Sequence, residues 1–323
     1  MVLLVGCSAP TPATDPEPVC EYPVRVVYLY PADQERFAEY EKAIPRVVDE
    51  IRTWYRSKTG LAFKALPLEV VQSKDDYFTM RCGTTEPERE AGQIDPLYMP
   101  AWIESVERAV GGWRAQTATL VFAQGGGGMA QANLQGDFAG WCVVGDWVLE
   151  PISGKANPKG ITAAMCLQKV YVTGGTPVGT VAHELAHAFG VHHPDGYETS
   201  KRSLMRAHWD WPDTNFLDHE KLVLKTSPFT ATRDWDGGAP HCDYLTNDVA
   251  EWGKPLDLIG SGFKEGDEVE FKDLAGLHRV KPTSIAADKI VVTVPKAGPG
   301  VVRVIRYTTR SNAVPVNVYE RKP

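Results

Sequence analysis

The segment His183-Glu184-Leu185-Ala186-His187-Ala188-Phe189-Gly190-Val191-His192-His193 concentrates half of the eight histidines in the chain. Histidines four apart on a helix lie on one face, with Cβ atoms about 5–6 Å apart. His183 and His187 can therefore share one metal ion. Glu184 directly follows the first of them, beside the metal but outside its ligand set, where a carboxylate can take a proton from a metal-activated water. Gly190 permits a positive φ and a sharp turn. The turn returns His193 toward the ion as a third ligand. Three protein nitrogens leave a fourth position for water, the arrangement of a catalytic zinc site rather than a closed structural one. His192 competes for the role of third ligand; the spacing favours His193 and puts His192 at the rim.

These residues match His-Glu-x-x-His-x-x-Gly-x-x-His, and in this the chain resembles the metzincin zinc peptidases. The resemblance covers roughly residues 24 to 230. It implies a twisted mixed sheet carrying an active-site helix, Zn2+ as cofactor, Glu184 as catalytic base and a protein or peptide substrate. It also implies a downstream methionine turn beneath the ligands, for which Met205 in Ser203-Leu204-Met205 is the candidate. Two residues beyond it stands Ala207, so a tyrosine ligand at that position is not expected. Asp195, Tyr197 and His208 are candidate helpers, each more readily an ordinary loop residue. His219, His241 and His278 stand alone and read as structural or exposed.

The elements that must position this site follow from periodicity. Val24–Tyr30 is β-branched and aromatic, a buried strand. Apolar residues at three- and four-residue intervals from Phe37 to Tyr55 predict a helix over about Asp33–Lys58, kinked near Pro45 and closed by Gly60. Further strands are expected at Leu66–Gln72, Ala118–Ala123, Trp141–Leu149 and Lys169–Thr173. Helices are expected at Pro100–Val110, Pro177–Gly190 and Leu217–Lys225. The Gly125–Gly128 run reads as a loop, since no Lys-Ser/Thr follows to make it a phosphate cradle. By analogy with the resembled family, Trp141–Leu149 is the sheet edge nearest the cleft.

Beyond about Trp252 the helical periodicity stops. Short strand candidates at Leu256–Ile259, Glu268–Phe271, Lys289–Val294, Gly300–Tyr307 and Ala313–Val318 predict a small β-sandwich. Leu258-Ile259-Gly260-Ser261-Gly262-Phe263, Val292-Thr293-Val294-Pro295 and Ser311-Asn312-Ala313 make this stretch similar to the IPT/TIG immunoglobulin-like module. The expected organisation is thus a tether over 1–23, an α/β (α+β) peptidase unit over 24–248 and an all-β sandwich over 249–323.

Met1-Val2-Leu3-Leu4-Val5-Gly6-Cys7 resembles the end of a bacterial lipoprotein signal, with Cys7 as the lipidation candidate, and a Pro-rich tether follows. The implied location is extracytoplasmic, secreted or lipid-anchored at the cell surface, with the lipid as the one membrane contact. The other cysteines, Cys20, Cys82, Cys142, Cys166 and Cys242, form no C-x-x-C pair, which argues against a structural zinc cluster. Up to two disulfides are expected; Cys142–Cys166 and Cys20–Cys242 are candidate pairings, and the connectivity does not follow from sequence. The net charge of -7, spread over 323 residues without a long basic run, argues against nucleic acid as a partner. No EF-hand-like loop supports structural Ca2+. The expected function is endopeptidase activity on extracellular proteins. The alternative is a surface adhesion protein in which the sandwich makes the glycan or protein contacts and the metal site is secondary.

Overall fold

The computed structural model describes residues 20–77, 80, 98–125, 128–133, 139–155, 176–193, 203–231, 240–307 and 309–320. Cys7, Cys82, Cys166, Asp195, Tyr197 and the expected strand at Lys169–Thr173 lie outside the described residues. So does most of the tether.

The first sheet is built from β1 (Val24–Tyr30), β2 (Glu69–Gln72), β3 (Ala118–Ala123), β4 (Gly128–Asn133) and β5 (Ala139–Val144). Their order is β2-β1-β3-β5-β4, parallel except for the antiparallel edge strand β4. The inner strands are apolar on both faces because helices cover both. Val26, Tyr28, Leu120, Phe122, Cys142 and Val144 point to one face, into a core shared with α1 (Ala38–Thr59) and α4 (Thr176–Ala188). Their sequence neighbours Val27, Leu29, Val121, Ala123, Trp141 and Val143 point to the other, against Trp102, Ile103 and Val106 of α2 (Tyr98–Ala109). Period-two alternation thus sorts one set of strands into two cores.

Helix α1 begins five residues later than expected and runs on through Pro45 to Gly60, which caps it at φ 75°. The expected strand Trp141–Leu149 is two elements. Strand β5 ends at Val144, and after Gly145 the chain turns into α3 (Asp146–Ser153). Nor is that strand the sheet edge. β5 is hydrogen-bonded on both sides, and the edge beside α4 is β4, whose Gly-Met-Ala-Gln-Ala-Asn sequence carries no alternating signal.

The C-terminal part holds two facing sheets. One has the order β11-β12-β8-β6, from β6 (His241–Leu245), β8 (Pro255–Ser261), β11 (Ser284–Ile285) and β12 (Lys289–Thr293). The other has the order β10-β9-β13-β15-β7, from β7 (Val249–Glu251), β9 (Glu268–Lys272), β10 (Leu277–Val280), β13 (Gly300–Arg306) and β15 (Val314–Tyr319), with β14 (Thr309–Arg310) on β13. Leu258, Val269, Phe271, Val292, Val302 and Val316 are among the residues that fill the space between them.

Strand β6 precedes the expected boundary at 248 yet belongs to this part. It pairs with β8, and Cys242 and Leu245 enter the second core. Two residues of the module-like motifs explain why. The buried Asn312 side chain accepts from Cys242 N at 2.8 Å and donates to Cys242 O at 2.5 Å. At Gly260, a Cβ would stand 1.9 Å from the His241 carbonyl oxygen, so only glycine lets β6 approach. Cys242 is a buried thiol here, and the expected Cys20–Cys242 disulfide is not formed. Cys142, likewise a buried thiol, lies beneath α4.

Candidate metal centre

Helix α4 carries the first two histidines and is held from three sides. Gly140 of β5 lets the strand come so close that a Cβ there would meet the Ala188 carbonyl oxygen at 2.2 Å. Gly179 does the same on the opposite side, where a Cβ would lie 1.9 Å from the carbonyl oxygen of His208, in the 3₁₀ turn His208–Asp210. From α1, the fully buried Tyr55 hydroxyl donates to Ala182 O at 2.8 Å, one residue before His183. Such a buried bond contributes roughly 1 kcal/mol.

The helix ends at Ala188, and Gly190 takes φ 99°, the positive value expected for it. Val191 N returns to Ala186 O at 3.0 Å, and Val191 is buried. His193 is thereby brought back over the helix. The Nε2 atoms of His183, His187 and His193 form a triangle with edges of 3.1, 3.1 and 3.2 Å. Nitrogens about 2.0–2.1 Å from a tetrahedral zinc lie about 3.3 Å apart, so the triangle has the right size.

The tautomers decide what this triangle is. His183 Nδ1 lies 3.0 Å from Leu204 O, and His187 Nδ1 lies 2.7 Å from Val191 O. A carbonyl only accepts, so each Nδ1 carries the proton and each Nε2 presents a lone pair. The 3.1 Å contact between these two Nε2 atoms therefore cannot be a hydrogen bond. Two lone pairs aimed at one point repel unless a cation stands there. The three histidines form a group that can hold a metal ion, with His183 buried, His187 half-buried and His193 exposed.

Electrostatics keep these rings in the ligand form. Burial first, then the neighbouring His187 and His208, holds His183 well below its usual value. His187 is pushed down to about 3 by burial and then by His193. Burial, then His192, lowers His193 as well. All three are neutral imidazoles at neutral pH, as metal binding requires. Next to them, burial pushes the Glu184 carboxyl up to about 8.

Met205 is buried on α5 (Leu204–Ala207), and the Leu204 carbonyl of the same turn is the one that fixes the His183 tautomer. The turn has its own support. Ser203 Oγ accepts from Met205 N at 3.1 Å and donates to Glu220 Oε1 at 2.7 Å. Glu220, fully buried on α6 (Asp218–Thr226), also accepts from Leu217 N at 2.7 Å. Ser203 is recognisable in sequence as an N-cap residue. Glu220 has no such signal, because its partner is 17 residues away.

Of the remaining histidines, His208 does reach the site, its ring centroid 4.8 Å from that of His183. Burial and then His193 push it down to about 4. His192 points elsewhere, with Nε2 3.0 Å from Asp248 Oδ2, and so leaves the third corner to His193. His241 pairs with Asp243 at 2.6 Å and His278 with Asp273 at 3.1 Å, both within the C-terminal part.

No family model matches the chain, and no curated protein matches it. Among solved structures it is similar to OgpA from Akkermansia muciniphila in two crystal structures. With the catalytically inactive form in complex with an O-glycopeptide, identity is 10% and the TM-score 0.42, over 91% of this chain and 90% of that one. With the wild type, identity is 11% and the TM-score 0.40, over 91% of both. A structural genomics protein from Bacteroides thetaiotaomicron matches at 14% identity and a TM-score of 0.24, over 26% of this chain and 23% of that one. The TIG domain of human nuclear factor of activated T-cells, cytoplasmic 4, matches at 17% identity and a TM-score of 0.21, over 26% of this chain and 91% of the domain.

Proposed function

We propose that this chain is a zinc-dependent endopeptidase of the metzincin type. His183, His187 and His193 are its metal ligands, Glu184 its catalytic base and Met205 its methionine turn. The observation that carries the reading is the convergence of three Nε2 atoms, two of them fixed as lone-pair donors by backbone carbonyls. When bound, zinc supplies Lewis-acid chemistry, lowering the pKa of water to about 7 and polarising a carbonyl.

The chain does the rest. Glu184 receives the proton of the attacking water and delivers it to the leaving amine. Its raised pKa, about 8 from burial alone, suits a group that must both take and return a proton near neutrality. A dication nearby favours the carboxylate and so the base form at the start of the cycle. The open side of β4 is a sheet edge packed beside α4, where an extended peptide can pair through its backbone.

The metal-bearing unit ends before His241, and the β-rich unit begins with it. The proposed setting is extracytoplasmic, either secreted or tethered through Cys7. Among the described residues no helix is long and apolar enough to cross a membrane.

The test is metal content and cleavage of an unstructured protein, for wild type and Glu184→Gln. One zinc per chain in both is expected, with turnover reduced about a hundredfold to ten-thousandfold in the variant. Absence of zinc from the wild type overturns the metal centre. Zinc with undiminished turnover in Glu184→Gln overturns the mechanism.

A further inference from the structure

The β-rich unit meets the metal-bearing unit at one end of its sheets. Val191, His192 and His193 line one side of a crevice whose other side is formed by Pro299, Val316 and Asn317. Pro299 lies on the loop that leads into β13, and this loop is fastened to the hairpin between β9 and β10. Asp273 Oδ2 accepts from Gly298 N at 2.6 Å. At Gly300 a Cβ would stand 2.0 Å from the Lys272 carbonyl oxygen and 3.1 Å from Asp273 Cα, so only glycine lets β13 begin this close to the hairpin. The hairpin therefore stands next to the loop that faces the third histidine.

The hairpin backbone is fixed and its tip is apolar. Asp273 is buried, and its Oδ1 accepts from Ala275 N and Gly276 N, both at 2.8 Å. Asp273 N donates to Gly276 O at 3.1 Å and closes the turn. This turn chemistry comes from the aspartate and needs no leucine. Yet Leu274 in the turn is 63% exposed, and Leu277, which opens β10 opposite the exposed Lys272, is 54% exposed. Among the described residues the one large apolar side chain more exposed than these is Tyr307, at 94%. It follows the far end of β13, about 20 Å from the loop of Pro299. A single exposed apolar side chain is ordinary, but two on one fixed turn beside a reactive centre mark a contact surface.

We propose that Leu274 and Leu277 are a docking point for the polypeptide substrate, taking apolar residues of an extended chain several positions away from the bond cleaved at the metal centre. The inference rests on the peptidase reading above. Continuity decides the occupant: a chain held at the metal centre and running toward the β-rich unit meets Pro299 first and the hairpin next. Because the turn is already closed by Asp273, binding there orders no backbone of the hairpin. The second unit thus takes part in substrate choice, favouring proteins with an apolar stretch beyond the cleaved bond over short peptides. Two half-exposed leucines covered by such a stretch contribute roughly a five- to thirtyfold preference.

The experiment measures kcat and KM for cleavage of a reduced and alkylated protein by the full zinc-loaded chain, with melting temperature and molar mass in parallel. Leu274→Ser combined with Leu277→Ser should raise KM about five- to thirtyfold at nearly constant kcat, with melting temperature unchanged. A four-residue peptide, about 13 Å long when extended and so confined to the metal centre, should be cleaved as by wild type. Leu274→Met combined with Leu277→Met keeps the apolar surface and should stay within about twofold of wild type. Tyr307→Ser, at the far end of β13, should leave KM unchanged. An unchanged KM in the double serine variant overturns the proposal, as does an equal rise in Tyr307→Ser. So does a dimeric wild type that the double serine variant makes monomeric, since the hairpin then serves a second copy. Failure of the wild type to cleave any protein overturns instead the reading on which the proposal rests.

Discussion

At the scale of single residues, the site is a matter of which lone pairs point where. Leu204 O and Val191 O each fix one imidazole tautomer, and so do as much for the convergence of the lone pairs as the choice of histidine does. Gly190 matters at the same scale, since φ 99° is a conformation that side chains with a Cβ rarely adopt. Gly190→Ala should cost about 1–2 kcal/mol of stability and weaken zinc binding, because either the strain or a shifted His193 must be accepted. Thermal unfolding and chelator competition check both parts. An unchanged melting temperature together with unchanged affinity would falsify this account of the turn.

Among elements, the turn of Met205 is tied to α6 by one buried carboxyl, and this link has a pH signature. Burial pushes Glu220 up to about 7, only partly offset by its bonds from Ser203 and Leu217. Its unfolded value is near 4.3, so between about pH 4.3 and 7 the folded state binds more protons than the unfolded one. Stability from this group is then full below the unfolded value and is lost as pH rises through about 7. Glu220→Gln keeps an acceptor for Leu217 N and a donor toward Ser203 Oγ without the charge. With chelator present, the variant should match wild type near pH 4.5 and exceed it near pH 8, by on the order of 3 kcal/mol. Denaturant melts at the two pH values test this; a constant difference between the proteins would show that Glu220 does not titrate in this range.

For the whole molecule, the two units share more than a linker. Asn312, on the run into β15, satisfies both backbone groups of Cys242 and so fixes β6 to the C-terminal sheets. β6 is followed by the turn that carries Asp248. Asn312→Ala leaves a buried N–H and C=O without these partners and should destabilise the β-rich unit by about 2–4 kcal/mol. Hydrogen exchange at Cys242 and along β8 should accelerate. If the amide of Cys242 stays as protected as in wild type, Asn312 is not what secures the strand.

Periodicity and composition carried much of the architecture before any coordinates. β1 and β3 fall at their expected bounds, α4 within two residues of its own, α1 ends one residue from its expected end but starts five residues late, and the later strands of the sandwich fall close to where Gly, Pro and Asp separate them. The cluster of His183, His187 and His193 was legible because helical geometry makes an i, i+4 histidine pair with a nearby glycine and third histidine an informative local signal. β4 was not legible, since its strand character comes from pairing with β5 rather than from its own residues. The split of Trp141–Leu149 was missed because Asp146–Leu149 is as apolar as a strand, and only burial against α1 and α4 makes it a helix. Glu220 and Asn312 act on partners 17 and 70 positions away, distances at which sequence has no period to read. The sequence by itself determined the local chemistry, because ligand spacing is a property of a single helix turn. Tertiary structure alone decided which carbonyls set the tautomers and which strand became the edge of the sheet among the described residues, since each depends on segments that meet only when the chain has folded.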